Sequence, residues 1–161
     1  MNGIGLGWYL LQDVLWSGLA ALGFALVFNV PRRALLGCVA AGAIGHSVRS
    51  LLMTMDVNII PATLAGAVAI GFWGDFWARR WRIPAAVFNV SGAIPMVPGS
   101  LAFKAMLSIL SVATTTTSSF LLETRLAEAG SSAITTALVL GALAVGIAAP
   151  ALLFQRTRPV V

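Results

Sequence analysis

Charged side chains are scarce here, at 9% of 161 residues, where a soluble domain carries roughly a quarter. With about five spans of ~20 residues each, the length is expected to leave no room for a separate soluble catalytic or nucleic-acid-binding domain. A single cysteine, Cys38, excludes an intramolecular disulfide framework and any multi-cysteine metal site. Cys38 lies in an apolar stretch and is expected to pack as a small residue. One histidine and no clustered carboxylates leave no metal site, and nothing points to a cofactor. No glycine-rich phosphate loop or nucleophile elbow is present. The hydroxyl run from Thr114 to Ser119 activates nothing by itself, so the chain does not read as an enzyme. No Lys or Arg precedes the first apolar run, unlike a cleaved signal peptide.

Apolar residues fill the space instead. They make up 59% of the chain, and mean hydropathy is +0.95. The expectation is an all-α integral membrane protein, a single membrane domain over residues 1–161, with about five segments at ~20 residues each. The segments fall at about 8–28, 34–53, 59–78, a broken 83–110, and 133–154. Thr114 to Thr117 is β-branched and suits a linker; Glu123 to Gly130 suits a short polar helix or loop.

The net charge of +5 and pI near 11.2 would suit nucleic acid. The basic residues sit in clusters between apolar runs, however, which suits membrane orientation and not a nucleic-acid partner. With alternating segments, Arg32, Arg33, Arg79, Arg80, Arg82, Arg156 and Arg158 share one side. The other side receives Arg125, Asp56, Glu123 and Glu128. The positive-inside rule then places the N-terminus outside and the C-terminus in the cytoplasm.

The fourth segment contains Gly92-Ala93-Ile94-Pro95-Met96-Val97-Pro98-Gly99-Ser100. Proline removes a backbone donor and clashes with the preceding turn, so no straight helix runs through this stretch. Broken backbone survives in a membrane only where protein or a water-filled cavity surrounds it. Transporters use such breaks to bind substrates and ions. Pro95, Pro98 and Gly99 are therefore candidates to line a pathway, and Asn89 lies where it would cap or line the break.

Asp13, His46, Arg49 and Lys104 are ionisable groups inside apolar segments, and a centrally placed charge costs roughly 2.5–3.5 kcal/mol on insertion scales. His46 and Arg49, at i and i+3, share a helix face. One reading is a polar pocket, with Arg49 and Lys104 taking a carboxylate and His46 and Asp13 responding to protons. Imidazole, whose unperturbed pKa is ~6.5, suits proton coupling. Other readings stand beside it. Arg49 snorkels to the interface, Asp13 pairs with a basic residue inside the bundle, or His46 is a structural hydrogen-bonder. Asp75 and Arg79, at i and i+4, read as a local ion pair.

Small residues recur every four positions: Gly37, Ala41, Gly45; Ala67, Gly71; Ala133, Ala137, Gly141. They allow close helix approach, within the chain or against a partner subunit. A complete carrier usually has two repeats, which points to a second component or a homo-oligomer.

Several stretches occur in a familiar order: Gln12-Asp13, Phe28-Asn29-Val30-Pro31 with Arg33-Ala34-Leu35, Ile44-Gly45-His46 with Arg49, and Leu52-Met53-Thr54. Ile94-Pro95-Met96 with Pro98-Gly99, Ala105-Met106 and Arg158-Pro159 follow. Together, over nearly the whole chain, they resemble the small YjjB-type subunit of the threonine/serine exporter family. The resemblance implies a bacterial inner-membrane protein working with a larger YjjP-type subunit. It implies export of small carboxylates, succinate-type dicarboxylates or threonine and serine, and assigns no residue roles. The alternative from a different class is a non-transporting membrane scaffold or assembly subunit.

Overall fold

A computed structural model describes residues 3–114 and 119–154, and no strand occurs among them. The expected linker residues Thr115 to Thr117 and the tail from Gln155, with Arg156 and Arg158, lie outside the described residues. The helices are α1 (Gly3–Val27), α2 (Arg32–Thr54), α3 (Ile59–Trp81), α4 (Ala85–Ala93), α5 (Gly99–Thr114) and α6 (Ser119–Phe154), with a 3-10 turn at Ile94–Met96 between α4 and α5. Among the described residues, four helices are long and apolar enough to span a membrane. The interrupted pair Ala85–Met96 and Gly99–Ala113 makes a fifth when taken together. The expected all-helical class and the break in the fourth segment are both present.

Local chemistry sets the helix ends. Asn29 adopts a left-handed conformation at φ 55°, which Asn tolerates better than most residues. Behind it the Val30 amide donates to the Ala25 carbonyl at 3.0 Å, closing α1. Pro31 then sets the start of α2 with φ −54°. Asp56, also left-handed at φ 60°, turns the chain toward α3. Asn58 caps α3 by accepting from the Ile60 amide at 3.1 Å, satisfying an orphan donor of the first turn. Arg79 and Arg80 lie in the last turn of α3, where cations complement the free carbonyls.

Short turns of this kind join antiparallel helices. Arg32, Arg33, Arg79, Arg80 and Arg82 therefore share one end of the α1–α3 layer, and Asp56 lies at the other.

The chain divides into two compact units, residues 1–96 with 142–161 and residues 97–141. The first has two cores. One joins Ala41, Ala67, Ile70, Ala93, Met96 and Leu143; the other joins Ala25, Ala34, Cys38, Ile83 and Phe88. Cys38 is fully buried there. Glycines let the helices touch. A Cβ on Gly66 would collide with the Gly45 carbonyl and stand 2.7 Å from the Met96 methyl. This is the close approach that small residues permit in lipid. The Trp73 indole donates to the Gly37 carbonyl at 3.0 Å, tying α3 to α2.

The second unit holds α5 and α6 as far as Gly141. The α6 helix already runs from Ser119, through the Glu123–Gly130 stretch that suited either a helix or a loop. Ala133 and Ala137 of the small-residue stripe line an open apolar groove of about 590 Å³ with Ala105, Met106 and Ile109. A Cβ on Gly141 would meet nothing within 4 Å.

Candidate functional site

Asp13 and His46 lie equally far along their helices from the turn joining α1 to α2, about 21 Å at ~1.5 Å per residue. An antiparallel hairpin therefore brings them to one level. His46 Nδ1 stands 2.9 Å from Asp13 Oδ1 and 3.0 Å from Oδ2. A carboxylate oxygen accepts and a ring N–H donates, so this contact suits the tautomer with its proton on Nδ1. That contact fixes the orientation of the ring. Both side chains are largely buried, 11% exposed for Asp13 and 26% for His46. Ser50 Oγ lies 3.4 Å from the same Nδ1. The Ser17 hydroxyl donates to the Asp13 backbone carbonyl at 2.6 Å.

Three residues past His46, half-buried Arg49 uses a different partner. One terminal nitrogen donates to the Met96 carbonyl at 2.8 Å. Met96 ends the 3-10 turn, just before Pro98. Beyond the break the Leu101 and Ala102 amides both turn back to the Pro98 carbonyl at 3.1 Å, so the helix ladder restarts there. Arg49 supplies the donor at Met96, and a hydrogen bond to a charged group contributes roughly 1.5–3 kcal/mol. Asp13 and Tyr9 are its titratable neighbours. Among the described residues, Arg49 has no carboxylate at ion-pair distance.

In this way the first unit joins Asp13 to His46 and Arg49 to the turn that contains Pro95. Asn89 sits elsewhere in the same unit, 7% exposed, pressed against Gly74. Its Oδ1 has no hydrogen-bond partner, nor do the buried Ser47 hydroxyl and Trp77 Nε1. Pro98, Gly99 and Lys104 belong to the second unit. Pro98 caps α5 as described, and a Cβ on Gly99 would meet open space. Lys104 lines a polar groove of about 390 Å³ with Ser108, Arg125, Glu128 and Ser132. Asp75 and Arg79 form the expected i, i+4 pair at 4.0 Å, with Arg79 mostly exposed.

Sequence reasoning pointed to freed backbone between Ile94 and Gly99, but it did not single out the Met96 carbonyl as the partner of Arg49, nor Ser17, Ser50 or Tyr9. Ser17 and Ser50 had a signal, each lying one helical turn after the acidic or imidazole residue it supports. Among the described residues, no group of three or more His, Cys, Asp or Glu side chains is placed to hold a metal ion.

Comparison with known proteins adds to this geometry. A curated Haemophilus influenzae relative, described as an uncharacterized protein, is 41% identical over 152 residues. The match covers 94% of this chain and 50% of that protein, so the chain spans about half the length of the relative. No solved structure matches. Residues 13–153 match the family described as "Threonine/Serine exporter, ThrE". The chain is a multi-pass membrane protein that belongs to this threonine/serine exporter family.

Proposed function

We propose that the chain is the small, YjjB-type membrane subunit of a secondary exporter for small carboxylates. The cargo class is succinate-type dicarboxylates or threonine and serine, and a larger YjjP-type subunit completes the transporter. The length of the relative supports a second component, since half of that protein lies beyond the match. The cluster of Arg32, Arg33, Arg79, Arg80 and Arg82 at one end of α1–α3 supports a bacterial inner-membrane orientation with that end in the cytoplasm.

One observation carries the reading. Arg49, inside a membrane-spanning helix, rests its charge on a neutral carbonyl instead of a carboxylate. A planar guanidinium is suited to bidentate carboxylate binding, so an incoming carboxylate has a prepared partner. The neighbouring Asp13–His46 pair supplies a proton-responsive group. Efflux of succinate, threonine and serine from cells co-expressing both subunits tests this. The native pair exports at least one of them, and Arg49→Ala stops export while membrane insertion survives. Full export by Arg49→Ala would remove Arg49 from the pathway.

A further inference from the structure

We infer that Arg49 is also the latch of the broken segment, and that a substrate carboxylate opens it by taking the guanidinium from the Met96 carbonyl. The inference rests on the reading of Arg49 as the carboxylate receptor. Three observations lead to it. The Arg49–Met96 bond of 2.8 Å joins α2 to the 3-10 turn at the end of α4, where Pro98 interrupts the helix ladder. Asp13, the acidic neighbour, has both oxygens against His46 Nδ1, and among the described residues it makes no ion pair with Arg49. The acceptor on Met96 is neutral, and hydrogen bonds between two ionised groups are roughly twice as strong as neutral ones. A carboxylate reaching Arg49 therefore displaces the carbonyl, and the Ile94–Met96 turn loses its tie to α2.

Receptor and latch are then one side chain. The turn is held while the site is empty and released when cargo arrives. A ligand shifts such an equilibrium only by its differential affinity for the two states. Here the difference is whether Arg49 is engaged by the carbonyl or by the carboxylate. Neutral analogues of the same shape bind without releasing the turn.

The test uses the reconstituted two-subunit complex with Cys38→Ala, which removes the chain's only cysteine, and Ile94→Cys as a reporter. Ile94 is half-buried, so its maleimide labelling rate reads release of the turn. Arg49→Gln should raise that rate ~10-fold or more, the size expected from loss of a charged hydrogen bond. Succinate or threonine should raise it with native Arg49 and have no effect with Arg49→Gln, and succinamide should not raise it. Amide hydrogen exchange at Ile94, Met96 and Val97 in the unsubstituted complex, with and without succinate, repeats the measurement without a reporter cysteine. An unchanged rate in Arg49→Gln overturns the latch, whatever export does. Export that proceeds while exchange at Ile94, Met96 and Val97 ignores every exported carboxylate overturns the competition. A native complex that exports none of the carboxylates refutes the exporter reading, while the Arg49→Gln labelling still decides the latch.

Discussion

In the first unit, the ionisable side chains Asp13, His46 and Arg49 inside α1 and α2 are half-buried or better, and each is engaged. Asp13 holds His46, and Arg49 holds the Met96 carbonyl. In the second unit, Lys104, Arg125 and Glu128 stand around an open groove. The Arg125–Glu128 pair there spans 3.5 Å with both side chains more than half exposed. Exposed pairs of that kind contribute roughly 0–1 kcal/mol. A buried polar group in a membrane is costly unless it is bonded, so the bonded cluster marks where polarity is built into the fold. Packing at two glycines differs in the same sense. In the first unit Gly66 meets Gly45 backbone, whereas Gly141 in the second faces open space.

The largest expected effect breaks the first unit's cluster at Arg49. Arg49→Ala should lower carboxylate efflux ~10–150-fold, the equivalent of a charged hydrogen bond, at unchanged membrane content by immunoblot. Next comes packing. Gly66→Ala places a methyl against backbone and should cost about 1–3 kcal/mol, read as a lowered Tm in detergent. Gly141→Ala, with open space around it, should stay within ~0.5 kcal/mol of the native protein. If both glycines tolerate alanine equally, the contrast in packing between them is wrong.

Asp13→Asn tests the His46 partner more gently, because an amide still accepts a hydrogen bond. Exchanging a charged for a neutral acceptor should cost about 1 kcal/mol and depress efflux at normal protein level. Reduced efflux without reduced protein also excludes a scaffold role. Last, Lys104→Gln should change efflux by no more than ~2-fold, in line with a surface substitution. A loss as large as that of Arg49→Ala would move the carboxylate site into the second unit.

Much of this arrangement was legible in the sequence because membranes impose simple rules. Apolar length gives the spans, and Pro95 and Pro98 forbid a straight fourth helix. The meeting of Asp13 with His46 follows from their equal spacing about the turn at Asn29. The partner of Arg49 was not legible, because a backbone carbonyl is exposed only by the geometry of the break and no residue letter marks it. Nor could composition decide Lys104. Its surroundings depend on how α5 faces the start of α6, and the polar residues of α6 at Arg125, Glu128 and Ser132 fit a loop as well as a helix until the helix is seen.

Equilibrium binding of labelled succinate and threonine to the purified two-subunit complex tests the central claim most directly. The comparison is native protein against Arg49→Gln, with matched Tm values. The claim predicts that Kd for the bound carboxylate rises at least ~10-fold in Arg49→Gln, as loss of a charged hydrogen bond requires. Equal affinities in two equally stable proteins would contradict it.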